Sequence, residues 1–226
     1  MTIMLTRNQT LSMLSLQAQM NAKVNPNWID AGYPFLRAIV IEGAEAIEHH
    51  GWKWWKAQSK DLAQLQMELI DIWHFTLSAV IVSNDGNLDA SADELMVRML
   101  SVSNIVEFDG SNYAINHLET VSKLELLIGL SVSRRISPAL FQALLTDCGM
   151  TWDDLFCQYV GKNVLNFFRQ DHGYKQGTYQ KEWAGREDNE HLVEILAELD
   201  DGTNADDFRE RLYNALSDRY AASTGK

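Results

Sequence analysis

Apolar residues in this chain return at intervals of three and four almost from end to end, the period of the α-helix. Leu11, Leu14 and Ala18 share one side of a first helix over about residues 8–22. The same pattern predicts helices over about 34–51, 60–82, 91–107, 114–132, 138–147, 152–170, 188–199 and 206–220. Only three prolines occur, Pro26, Pro34 and Pro138, and none falls inside a long periodic stretch, where its missing N–H would break the helix. Asn84-Asp85-Gly86 supplies the turn that closes the third helix. No strand alternation, internal repeat or low-complexity tract stands out. The expected fold is all-α, a helical bundle in one domain spanning 1–226. Residues 86–150 are rich in apolar side chains and poor in catalytic candidates, so they are expected to be scaffold or an inserted helical subdomain.

Charge narrows the function. The formal net charge is −12 and the pI about 4.8, which disfavours a nucleic-acid binder because phosphate backbones are repelled. Any polyanion must then be met by a concentrated basic patch or a metal ion. The longest near-apolar run, Phe75 to Val82, is short for a bilayer, and the N-terminus lacks a signal-peptide pattern; a cytoplasmic protein with no membrane partner is expected. Cys148 and Cys157 lack zinc-site spacing, which fits a reducing compartment and leaves one disulfide open.

The predicted second helix carries Glu42 and Glu45, and the third carries Glu68 and Asp71. Residues three apart on a helix lie about 60° from one another, so each pair shares a face. The short connection between the helices lets them run antiparallel. Glu45 then lies roughly 8 Å of rise before it and Glu68 roughly 12 Å after it, at similar heights. Four converging carboxylates repel unless a cation sits among them, and hard oxygen ligands suit Mg²⁺ or Mn²⁺. Such an ion holds phosphate oxygens and acidifies water, as attack on a diphosphate requires. Two solvated acidic faces would give the same pattern. A di-iron bundle would need Glu-x-x-His on two helices, and only Asp71-Ile72-Trp73-His74 comes near it.

Two further segments carry basic and aromatic residues. Trp52-Lys53-Trp54-Trp55-Lys56 reads either as buried rings with snorkelling lysines or as a base pocket beside a phosphate-binding lysine. On the seventh predicted helix Lys162, Asn166 and Arg169 form one polar stripe, which runs into a glycine-containing loop with Tyr174, Lys175 and Tyr179. Such a stripe fits a phosphate clamp, though cations near a helix C-terminus also complement its dipole. Gln17 and Asn21, one turn apart, read either as surface amides or as paired donors and acceptors that match a uracil edge.

These segments together resemble the dimeric all-α dUTPases. The resemblance rests on residues 16–21, on Glu42-Gly43-Ala44-Glu45, on residues 51–56 and 68–75, and on the string from Lys162 to Tyr179 followed by Glu187-Asp188-Asn189. It covers about residues 11–80 and 155–195. The acidic pairs alone mark the wider MazG-like pyrophosphohydrolases, whereas the tryptophan segment and the Lys162 string mark the dUTPase branch. The resemblance implies an all-α NTP pyrophosphohydrolase bundle with an additional inserted helical segment. It implies a homodimeric enzyme that hydrolyses dUTP to dUMP with a bound metal, for which the ligand chemistry suits Mg²⁺, or Mn²⁺ in its place. dUDP is expected as a second substrate because it shares the α–β linkage that the metal site would engage. Glu42, Glu45, Glu68 and Asp71 would bind metal and serve catalysis, with Glu45 helping to orient or deprotonate water. Gln17, Asn21 and Asn166 would contact uracil, Trp55 would line the base pocket, and His74 and Phe75 would sit beside the deoxyribose. Lys56, Arg169, Tyr174 and Lys175 would hold phosphates. A pyrophosphohydrolase with another nucleotide preference is the alternative. A non-enzymatic helical regulator would show an eroded acidic quartet or basic stripe, and neither is eroded here.

Overall fold

The computed structural model describes residues 4–100, 103–199 and 205–224. Among them the helices are α1 (Arg7–Val24), α2 (Phe35–His50), α3 (Leu62–Ser83), α4 (Leu88–Leu100), α5 (Thr120–Val132), α6 (Pro138–Asp147), α7 (Trp152–Asp171), α8 (Asp188–Glu198) and α9 (Ala205–Thr224). The fold is all-α, as the periodicity predicts. Local chemistry sets several boundaries. Thr6 and Gln9 form a reciprocal capping box at the start of α1, and Thr151 and Asp154 do the same for α7. Ser137 caps α6 ahead of Pro138 in its first turn.

Two antiparallel hairpins correct the expectation of no strands. Strands β1 (Ile105–Phe108) and β2 (Ser111–Ala114) replace the end of the helix expected over 91–107 and the start of that expected over 114–132. The cause is Asp109-Gly110, both at positive φ (50° and 71°), a two-residue turn whose twist matches paired strands. Strands β3 (Glu182–Trp183) and β4 (Arg186–Glu187) meet at Ala184-Gly185, again both at positive φ.

α3 is the central helix. Leu65, Leu69, Ile70, Ile72, Trp73, Leu77 and Ile81 are all at most 1% exposed, which covers both of its sides. It is long and apolar enough by composition to cross a membrane, yet 72% of its most apolar window is buried inside the protein, the position of a core helix. α2 packs along it and also against α5. Gly43 permits the second contact, since a Cβ there would lie 2.8 Å from Ile128. α1 crosses α3, α4 and α7.

The main core runs from Leu5 to Val160 and includes Trp73 stacked on Phe141 with centroids 4.9 Å apart. A second core gathers Val164, Leu165, Phe168, Trp183, Leu192, Leu212, Leu216 and Tyr220. α7 serves both, with Tyr159 in the first and Phe168 in the second. Being held at both ends fixes its polar stripe against α3. The segment 86–150 contributes α4 against α1 and α5 against α2, within the main core.

Candidate active site

Glu42, Glu68 and Asp71 bring carboxylate oxygens within 4.8 Å of one another across the α2–α3 pair. Glu68 is buried and the other two are half-buried. Burial, then the charges of Asp71 and Glu45, pushes the Glu42 carboxyl up to about 7. Burial, then Asp71 and Glu42, pushes Glu68 up to about 8. Anionic groups held this close and partly out of water favour a proton or a cation between them. Three hard oxygen donors fit a divalent ion of the Mg²⁺ or Mn²⁺ type. Glu45, the fourth carboxylate, is exposed one turn further along α2 and acts on Glu42 and Glu68 through space.

Among the described residues, Lys162 and His49 reach the quartet from outside it. The Lys162 ammonium, 3% exposed, lies 3.1 Å from Asp71 and donates to Asn189 at 3.0 Å. His49 Nε2 is 3.4 Å from Glu68. The basic stripe is therefore in place beside the acidic site.

Arg169 is held rather than free. Its guanidinium donates twice to Asp188, at 2.8 and 2.7 Å, and to Asn166 at 3.2 Å. Tyr179 adds a third bond to Asp188 at 2.8 Å. Burial alone would raise the Asp188 carboxyl, but these contacts outweigh it and hold it below the usual carboxylate range. Tyr174 lies under the same guanidinium, 6.0 Å from its ring centroid. Lys175 donates to the carbonyl of Val24 at 2.8 Å, at the C-terminal end of α1, which ties the glycine loop to that helix.

The amides and His74 form one buried chain. Ser78 donates to the carbonyl of His74 (3.0 Å), Asn21 Nδ2 donates to Ser78 Oγ (3.0 Å), and Gln17 Nε2 donates to Asn21 Oδ1 (3.1 Å). Gln17 Oε1 therefore faces His74 Nδ1 at 2.7 Å and the Tyr159 hydroxyl at 2.9 Å. Because Gln17 presents oxygen there, His74 must carry its proton on Nδ1, and Nε2 is left as a bare acceptor. That nitrogen is buried without a partner. Burial pushes the imidazole down to about 4, so it is neutral near pH 7. Its ring stacks on Tyr159 with centroids 4.2 Å apart. Asn163, fully buried beside the Tyr159 hydroxyl, also has amide atoms outside hydrogen-bond geometry. Orphaned buried polar atoms gathered at one place call for a ligand or water.

The remaining predicted residues lie further out. Phe75 lines an open apolar groove with Tyr33, Phe35, Ala38 and Ile41, on the α3 face that carries Asp71 one turn earlier. Trp55 is 58% exposed in the connection between α2 and α3, edge-on to Trp52 (5.2 Å) and Trp54 (4.5 Å). Lys56 is exposed in the same connection. The structure thus gathers Glu42, Glu68 and Asp71 with the α7 stripe, and Gln17 and Asn21 with His74. It does not bring Trp55 or Lys56 onto either group. Sequence reasoning missed Ser78, Tyr159, Asn163 and His49. Only Ser78 carried a readable signal, lying one helical turn beyond His74 on the same face.

A family model described as dUTPase matches residues 9–174, from the first amide helix through the carboxylates to the end of the basic stripe. Comparison with curated proteins gave no match. With the acidic helix pair, the amide chain and the α7 stripe all inside the matched span, this chain belongs to the all-α dUTPase family and is a dUTP diphosphatase.

Proposed function

We propose that the chain hydrolyses dUTP to dUMP and pyrophosphate at the Glu42–Glu68–Asp71 cluster, with a divalent cation held there. The observation that carries this reading is the convergence of three carboxylates within 4.8 Å, with Lys162 against Asp71. Glu42, Glu68 and Asp71 hold the ion, with Glu45 beside them as a further ligand or as the group that takes a proton from the attacking water. When bound, Mg²⁺ or Mn²⁺ offsets phosphate charge and lowers the pKa of water.

The protein's own groups do the rest. Water oxygen adds to the β-phosphorus, the bond from that phosphorus to the α–β bridging oxygen breaks, and the bridging oxygen leaves with dUMP. Lys162, Arg169, Tyr174 and Lys175 meet the phosphates, joined by Lys56 from the α2–α3 connection. For the base, the polarity of the amide chain is informative. Asn166 Oδ1 is taken by Arg169, so Asn166 offers N–H donors, as does the second proton of Gln17 Nε2. Uracil presents O4 and O2 as acceptors, whereas cytosine places an amino group where O4 would be. The His74 Nε2 acceptor suits a donor such as the sugar 3′-hydroxyl, with Phe75 against the ring and Trp55 against the base. dUDP shares the scissile bond and is a second substrate.

A homodimer accompanies this reading through the family resemblance, and light scattering at twice the 25.7 kDa chain mass tests it. The direct test of the chemistry is turnover in ¹⁸O-water. Label in pyrophosphate supports attack at the β-phosphorus, and label in dUMP contradicts it.

A further inference from the structure

We infer that Ser78 is a positioning residue that sets the donor–acceptor polarity of the Gln17–Asn21 amides and thereby the tautomer of His74. Ser78 is fully buried on α3, and nothing in the proposed chemistry requires it to touch substrate. Its hydroxyl makes two bonds, accepting from Asn21 Nδ2 and donating to the His74 carbonyl, each at 3.0 Å.

A backbone carbonyl can only accept, so the hydroxyl proton points toward it and the oxygen lone pairs face Asn21. That orientation propagates. Asn21 turns its nitrogen to Ser78 and its oxygen to Gln17, and Gln17 turns its nitrogen to Asn21 and its oxygen to His74 and Tyr159. Now let both amides be reversed. Gln17 Nε2 would donate to His74 Nδ1 and to the Tyr159 oxygen, and the Tyr159 proton would pass to the Met13 carbonyl, which lies 3.0 Å away. Asn21 Nδ2 would donate to Gln17 Oε1. Every contact at that end survives reversal. Only Ser78 loses, because its single proton would have to choose between Asn21 Oδ1 and the His74 carbonyl. The preference between the two polarities therefore rests on Ser78.

The consequence lies at the far end of the chain. In the observed polarity His74 Nε2 is a bare acceptor, and the free Gln17 proton is a donor. In the reversed polarity Nε2 would carry hydrogen and confront a substrate donor with another donor, and both Gln17 protons would be spent on His74 and Tyr159, leaving none for a uracil oxygen. A hydroxyl one helical turn away from His74, and without any contact to ligand, thus decides what the pocket reads.

The experiment is ¹⁵N-imidazole NMR on the nucleotide-free full chain near pH 7, with dUTP and dCTP kinetics beside it. Wild type should show His74 Nδ1 protonated and Nε2 unprotonated. Ser78→Ala should populate the Nε2-protonated form and lower selectivity for dUTP over dCTP by roughly ten- to a hundredfold. Adding Asn21→Asp to Ser78→Ala should restore the wild-type tautomer. A carboxylate at 21 only accepts, so it draws the Gln17 nitrogen and turns the Gln17 oxygen back to His74. A loss caused by packing alone would not recover in this way. Wild type protonated on Nε2, an unchanged tautomer in Ser78→Ala, or no recovery in the double variant would each overturn the inference. The selectivity arm rests on the base-recognition reading above, whereas the NMR arm uses no nucleotide. A tautomer that shifts while selectivity stays fixed would contradict that reading and leave the positioning role standing.

Discussion

Lys162 reaches from α7 to lie 3.1 Å from Asp71 on α3, bringing a nearly buried ammonium against one of the carboxylates of the acidic cluster. This pairing joins the anionic and cationic halves of the site before any ligand arrives. It also predicts opposite effects on metal and on substrate. Two unit charges about 4 Å apart interact by about 1–4 kcal/mol between aqueous and surface-like screening. Removing the ammonium should therefore ease entry of a divalent cation. Lys162→Met is expected to tighten Mn²⁺ binding several-fold in the absence of nucleotide and to lower dUTP turnover by two or more powers of ten. Calorimetry with Mn²⁺ and a steady-state assay check the pair of effects; weaker Mn²⁺ binding would contradict this use of Lys162.

The raised carboxyls predict a pH dependence of stability. Glu42 and Glu68 are shifted from 4.5 to about 7 and about 8 in the folded protein. A group raised on folding contributes stability that is full below its unfolded value and is lost as pH rises through the folded one. Without divalent cations the carboxyl contribution is lost as pH rises from about 4.5 to about 8. His74, lowered on folding, gives an opposite trend up to about its unfolded 6.5, so the thermal midpoint should fall most clearly between about pH 7 and 8 and level above. Saturating Mg²⁺ or Mn²⁺ should abolish or invert the fall, and Glu68→Gln should flatten it. A midpoint that is level over this range in metal-free wild type would contradict the account.

Arg169 and Asp188 predict a stability cost that depends on the pair. Asp188 is 0% exposed and takes two bonds from the guanidinium. Asp188→Ala leaves a nearly buried cation without its partner, which costs about 3–5 kcal/mol in comparable pairs. Asp188→Leu combined with Arg169→Met should cost far less, since both charges are then gone. Urea unfolding of Asp188→Leu, Arg169→Met and the double variant measures the coupling. Additive losses would show that the pair does not act as a unit.

dUDP should be hydrolysed, more slowly than dUTP. The missing γ-phosphate removes one charge-assisted contact to the basic stripe, about 1.5–3 kcal/mol, or one to two powers of ten in kcat/KM. Absence of dUDP turnover would place an essential contact on the γ-phosphate.

Much of this was legible in the sequence, for reasons visible in particular residues. The convergence of Glu42, Glu68 and Asp71 follows from helical spacing and a short connection, both local properties. The stripe of Lys162, Asn166 and Arg169 is likewise a matter of angle around one helix. What each stripe member binds was not legible. Arg169 is claimed by Asp188, nineteen positions away, through the turn from β3 to β4 and the start of α8. The β1–β2 hairpin escaped because Ile105, Val106 and Phe108 fit a helical spacing as readily as a strand, and Asp109-Gly110 was the only local cue. Tyr159 escaped because a tyrosine inside an apolar helix reads as core until a partner helix is placed against it, whereas Ser78 was marked only by its place one turn beyond His74.

On the proposed function, this site selects dUTP and needs a divalent cation to turn it over. One measurement addresses both parts: release of nucleoside monophosphate from an equimolar mixture of dUTP, dCTP, dTTP and UTP, with Mg²⁺ and again with excess chelator. With Mg²⁺, dUMP should be the dominant product, with the other three monophosphates lower by at least about tenfold, and chelation should leave no product. Comparable release of CMP-type, TMP-type or UMP products, or full dUMP release in chelator, would contradict this function.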